Sequence, residues 1–117
     1  MTRKALECLL TEEYGAEPEH LFRSSPETAV FRHGHNKKWF AVIMEIAKEK
    51  LGLRSSERVT VVNVKCDVEL GELLRGEKGI FPAYHMNKRH WLTLVPEEID
   101  EERLRFLLAG SYRLTRK

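Results

Sequence analysis

At 117 residues, 42% hydrophobic and 32% charged, the chain has the composition of one soluble folded domain, and it departs from the disordered and membrane-spanning classes. A formal charge of +2 with a sequence pI near 8.6 falls short of the strongly basic balance of dedicated nucleic-acid binders. Two cysteines, Cys8 and Cys66, exclude a disulfide framework and a zinc cluster, and the expectation is two reduced, mostly buried thiols.

Residues 1–10 carry neither the long apolar region nor the small-residue cleavage site of a secretory signal, so the cytoplasm is the expected compartment. Leu6, Leu9, Leu10 and Tyr14 recur at helical spacing with Gly15 after them, which predicts an amphipathic helix over about residues 2–14. Pro18, Ser24, Ser25 and Pro26 mark a connecting loop. Thr28 to His33 is β-prone, Gly34-His35-Asn36 is turn chemistry, and Lys38 to Met44 is an apolar, β-branched and aromatic run, so a hairpin follows.

From Ala47 to Arg58 no periodicity stands out, and a long exposed connection is expected. Val59 to Lys65 alternates as a half-buried strand, with Val62 and Val64 on one face and Asn63 and Lys65 on the other. Asp67 reads as the cap of a short helix carrying Leu70, Leu73 and Leu74 and closed by Gly76. Such a cap also raises the alternative of a Cys66 thiolate activated by the helix N-terminus. Trp91 to Val95 returns to strand character. Leu104, Leu107, Leu108 and Tyr112 define a last helix after Asp100, which reads as its cap, with Glu101 and Glu102 in its first turn. The order of elements predicts an α+β fold, an antiparallel β-sheet packed against N- and C-terminal helices. No strand, Gly-rich turn and helix unit is present to hold a nucleotide cofactor, and none is expected.

Charge is unevenly spread. Residues 1–27 carry three Lys/Arg against six Asp/Glu, residues 28–66 carry eight against three, and the remaining segments balance. The run Phe81-Pro82-Ala83-Tyr84-His85-Met86-Asn87-Lys88-Arg89-His90-Trp91 is too polar for a core strand and too aromatic for an ordinary loop. It resembles the signature of the MmcQ/YjbR family of small bacterial proteins. The resemblance extends to Ala29 to His33, Asn36 to Ala41, Lys48 to Leu51, Asn63 to Asp67 and Ser111-Tyr112, in family order. It implies a sheet-and-helix sandwich like that of the CyaY/frataxin group, whose projecting hairpins have been likened to a double-winged DNA-binding motif. Two departures stand out. Val68 replaces a proline common after the Lys-Cys-Asp triplet, and the segment after Trp91 is cut to Leu92 to Pro96, which would clip a wing if the wing lies there.

His85 and His90 are five apart and do not share a face, and His33 and His35 lack a third ligand, so no metal site is expected. No nucleophile, base and orienting carboxylate assemble around His90, so no catalytic residue is assigned and the protein is expected not to be an enzyme. DNA is the expected partner, with Arg32, Lys37, Lys38, Lys88 and Arg89 meeting phosphates, Trp39, Tyr84 or Trp91 stacking on exposed bases, and Asn87 and His90 adding polar contacts. The bland alternative packs Tyr84 and Trp91 on the sheet edge, anchors the core with Trp39 and Trp91, and uses Asn87 and His90 to fix the loop. The rival function is a protein-interaction or chaperone-like module without a nucleic-acid role. No membrane association is expected, and a monomer is the expected state.

Overall fold

Leu6, Leu9 and Leu10 fall on one helical stripe and are buried, which sets α1 at Arg3–Tyr14 in the computed structural model, which describes residues 1–117. Thr2 caps this helix by accepting the Ala5 N–H at 3.2 Å, and Gly15, at φ 63°, closes it with its N–H on the Leu10 carbonyl. The strands are β1 (Ala29–Arg32), β2 (Trp39–Ala47), β3 (Arg58–Lys65), β4 (Ile80–Pro82) and β5 (Trp91–Leu94). A 3-10 turn at Lys48–Leu51 leaves β2, α2 (Val68–Leu74) follows β3, and α3 (Glu101–Thr115) ends the fold. The five strands form one sheet in the order β1-β2-β3-β5-β4, antiparallel at every pairing. The architecture is α+β.

One face of the sheet is covered by helices. Leu6, Leu10, Leu104 and Leu108 pack there on Phe31, Ile43, Val62, Val64, Leu92 and Leu94, each side chain contributing roughly 1.5–3 kcal/mol through its removal from water. Strand alternation sends Val42, Met44, Val61, Asn63 and Thr93 to the opposite face, where Ile46, Val61 and Val95 form a smaller cluster with Met44, Phe81 and Tyr84 against it.

Several expectations change. Ile80-Phe81-Pro82 pairs with Leu94, Thr93 and Leu92, so the signature run begins as an edge strand, a position that tolerates proline. Strand β2 continues past Met44 to Ala47, and the connection after it contains the 3-10 turn closed by Gly52 at φ 83°. Asp67 and Asp100 occupy N-cap positions, yet neither side chain makes a capping bond. Leu73 of the α2 stripe is 75% exposed. Cys8 is exposed while Cys66 is buried. Burial and the neighbouring Asp67 push the Cys66 thiol up, away from the activated thiolate considered above.

The β1–β2 pairing is irregular. Phe31 faces Ala41, whereas Arg32 faces Trp39, so Phe40 is the extra residue of a β-bulge. Phe40 and Ala41 both enter the helix-covered core, and Trp39 is turned to the opposite face. The β2–β3 ladder ends beside the bulge, at Ala41 and Val64. The Ser111 hydroxyl of α3 occupies the missing rung, accepting the Lys65 N–H at 2.8 Å and donating to the Phe40 carbonyl at 2.6 Å. Ser111 is 0% exposed, so both backbone groups depend on it for a partner.

His33 packs beside this rung. Its Nε2 lies 2.8 Å from the Thr115 hydroxyl, which donates to the Ser111 carbonyl at 2.8 Å, so the network assigns the proton to His33 Nε2. The ring lies against Phe40 and Tyr112. Burial, reinforced by His35, lowers its pKa below the ordinary 6.5.

Ser111→Ala strands the Lys65 N–H and the Phe40 carbonyl, and urea denaturation should show a loss of about 2 kcal/mol without a change in slope. An unchanged midpoint would mean that the rung is dispensable. For His33 the unfolded chain binds more protons than the folded one between the depressed native pKa and 6.5, so stability should fall as pH drops through that window. Replacement by Gln should flatten the dependence, measured as denaturation midpoints from pH 8 down to 5.

Candidate functional site

The sheet register gathers three separated segments at one end. Arg32 opposite Trp39 places the β1–β2 turn there, and Lys65 opposite Trp91 places the end of β3 and the start of β5 beside it. Pro82 opposite Leu92 brings the loop 83–90 to the same end. The C-terminus of α3 joins them, because Asn36 donates to the Thr115 carbonyl at 2.8 Å and His35 Nε2 contacts the Arg116 carbonyl oxygen at 2.7 Å.

Seven cations at this end are Lys37, Lys38, Lys65, Lys88 and Arg89, with Arg116 and Lys117 on the tethered helix end, and Arg75 reaches the same loop by donating to the Lys88 carbonyl at 2.6 Å. Lys37 is exposed at φ 63°. Lys38 Nζ donates to the main-chain oxygen of Lys117 at 3.0 Å, and Lys88 Nζ to the Ala83 carbonyl at 2.6 Å. None of the seven forms an ion pair with a carboxylate side chain; the eight ion pairs use Arg3, Arg32, Lys48, Arg58, Arg103 and Arg105. Asn87 builds the turn that presents Arg89, its Oδ1 accepting the Arg89 and His90 N–H groups at 2.9 and 3.2 Å. The His90 ring is exposed, and its backbone carbonyl accepts the Cys66 N–H at 2.8 Å.

Arg32 does not belong to this set, because Glu19 neutralises it at 2.8 Å. The basic middle of the chain is also divided. Lys48, Lys50, Arg54 and Arg58 lie beyond the other end of β2, whose nine residues span about 30 Å. There Lys48 pairs with Glu57 at 3.5 Å and Arg58 with Glu27 at 3.8 Å. Half of the positive block therefore lies at the opposite end of the sheet from Lys37, Lys65 and Arg89.

Neither tryptophan anchors the core. Trp39 and Trp91 are half-buried on the face without helices, while Phe31 and Phe40 fill the core positions. Lys65, on β3, lies opposite Trp91 and on the strand between the two rings. Trp39 meets Phe22 edge-on, with ring centres 6.1 Å apart.

A cleft of about 640 Å³ opens on the same face. Its floor is Val42, Met44, Ile46 and Asn63; one wall is Phe22 with Trp39, the other Tyr84-His85-Met86, and Lys50 and Arg58 border the far end. The second wall is pinned from below. Asn63, 1% exposed, donates to the Tyr84 carbonyl at 2.9 Å and accepts from Thr93 at 2.5 Å, while the Thr93 hydroxyl oxygen accepts the Tyr84 N–H at 2.8 Å. The Tyr84 and His85 rings lie tilted by 43° to each other with centres 3.9 Å apart, and His85 holds φ 60°. Glu27, on the rim, is held below the usual carboxylate range by a hydrogen bond from its own backbone, with Ser25 and Arg58 adding to the effect.

Sequence reasoning named Trp39, Tyr84, Asn87, Lys88, Arg89, His90 and Trp91 but missed Phe22, Met44, Asn63 and Met86 as parts of one concavity. The alternation of Val42, Met44 and Ile46 along β2 was the available signal. No group of three or more His, Cys, Asp or Glu residues is placed to hold a metal ion. No helix is long and apolar enough to cross a membrane.

This arrangement of elements has relatives. The chain is 37% identical over 117 residues to the uncharacterized protein YyaQ of Bacillus subtilis, covering 99% of each. It matches a crystal structure of a Pseudomonas syringae protein with a TM-score of 0.96 at 38% identity, over 99% of this chain and 100% of that one. A Deinococcus radiodurans protein matches with a TM-score of 0.65 at 29% identity, over 87% and 69% respectively. The YjbR family model matches residues 12–114, a span that includes every strand and both walls of the cleft, and the chain belongs to the YjbR family.

Proposed function

We propose that the protein is a non-enzymatic DNA-binding protein that holds phosphates with Lys37, Lys38, Lys65, Lys88 and Arg89, assisted by Arg116 and Lys117. The observation that carries this reading is the convergence, through antiparallel register, of three cationic segments that have no carboxylate partners. Such a surface attracts a polyanion and releases its counterions on contact. The turns 33–38 and 83–90 flank Lys65 at this end of the sheet. The shortened segment after Trp91 belongs to the opposite end of the sheet, since β5 runs from Trp91 at the cationic end to Leu94, and its shortening leaves these turns intact.

Two further observations support the reading over its rivals. A protein-docking surface calls for an apolar patch around Trp91, but Lys65, Arg89 and His90 surround that ring in register and sequence. Among groups with displaced ionisation, only Glu27 borders the cleft, and Ser25 and Arg58 hold its carboxylate. A catalytic reading would need a poised acid or base there.

Fluorescence-anisotropy titration of a labelled duplex at several salt concentrations tests the proposal. With about five phosphates neutralised, log affinity should fall against log salt with a slope near −4 to −5. Combining Lys37→Gln with Arg89→Gln should reduce that slope by about 2, whereas Arg54→Gln at the opposite end, outside the cleft, should leave it unchanged. Absence of saturable binding at low salt would refute the proposal.

A further inference from the structure

The walls of the cleft have a common organisation in the chain. Lys37 and Lys38 run directly into Trp39, and Tyr84-His85-Met86 runs directly into Asn87, Lys88 and Arg89. Each stacking wall is thus continued at its lip by cations without carboxylate partners. Between the lips lies an apolar floor of Val42 and Met44, with Phe22 completing the first wall. Aromatic side chains that line a concavity, with cations at its edge, offer contact to a flat heterocycle and charge to the phosphate attached to it.

We infer that the nucleic acid taken by this surface is single-stranded, its unpaired bases entering the cleft between Trp39 and Tyr84-His85-Met86 while its phosphates lie on Lys37, Lys38, Lys65, Lys88 and Arg89. The inference rests on the phosphate-binding reading above and names its substrate class. In a duplex both faces of every base are covered by neighbouring bases, so the rings of the cleft have nothing to stack on unless a base is first extruded. Reading a duplex edge requires an element that protrudes into a groove. Here the aromatic groups line a recess instead. The volume of about 640 Å³ lies within the range that encloses a drug-sized organic molecule, which leaves room for more than one heterocycle. Asn63 is engaged with Tyr84 and Thr93, so the floor stacks or packs bases rather than reading their edges. The selectivity is for strandedness over sequence.

The test compares a labelled oligothymidylate of about 12 nucleotides with a duplex of the same length at low salt, within the site sizes usual for stacking proteins. The Trp91→Phe protein, in which Trp39 is the remaining tryptophan, supplies an intrinsic fluorescence readout of the cleft. The single strand should bind about tenfold more tightly than the duplex and quench Trp39 saturably. Trp39→Leu, which keeps every cation, should erase the preference and bring the two affinities together. Tyr84→Leu provides the same comparison from the other wall, and circular dichroism verifies the fold of each variant. Equal affinities in the unmodified protein with Trp39 unquenched would overturn this inference while leaving phosphate binding intact. Binding of neither ligand would overturn both.

Discussion

A single hydroxyl governs how this sheet presents itself. Ser111 stands in for the rung that β2 and β3 do not form, and in doing so holds Phe40 and Lys65 at the end of the ladder. The bulge at Phe40 reverses the facing of everything before it in β2. In an unbroken strand Trp39 would share a face with Ala41 and Ile43 and enter the core. With the bulge, Phe40 takes that place and the indole turns toward the cleft. The α3 segment that supplies Ser111 also supplies Thr115 for His33, and its end is tied to the β1–β2 turn through His35, Asn36 and Lys38. Core packing and the cationic end are therefore parts of one hydrogen-bonded assembly.

The small net charge conceals this organisation. Charges separated by the length of β2, about 30 Å, act independently once the distance exceeds a screening length of roughly 8–10 Å in physiological salt. At one end Lys48 and Arg58 lie beside Glu57 and Glu27, while at the other Lys37, Lys38, Lys65, Lys88 and Arg89 form no such pairs. A partner arriving at the second end meets a local field larger than the overall +2 conveys. Arg32, which borders that end, contributes little because Glu19 answers its charge.

Much of the architecture was readable where a period repeats long enough to dominate its surroundings. The stripes Leu6-Leu9-Leu10 and Leu104-Leu107-Leu108 became α1 and α3, and the alternation through Val62, Asn63 and Val64 set the two faces of β3. The run from Trp39 to Met44 is apolar throughout, so periodicity cannot reveal a bulge within it. Strand β4 has three residues, too few for alternation to register. Periodicity and turn chemistry supplied the order of elements, but neither they nor the family resemblance separated the basic middle into two ends or paired Arg32 with Glu19. The cleft was hidden for a related reason: Phe22, Trp39, Met44 and Tyr84 come from three distant segments, and only strand order brings them together.

The most direct measurement of the central claim is a two-dimensional amide NMR titration of the isotopically labelled protein with a short single-stranded oligonucleotide. Perturbed amides should cluster at Lys37 to Trp39, Lys65 and Tyr84 to Trp91, which adjoin in space although they are distant in sequence. Perturbations centred on Gly52 to Ser56, or on the outward faces of α1 and α3, would contradict the account.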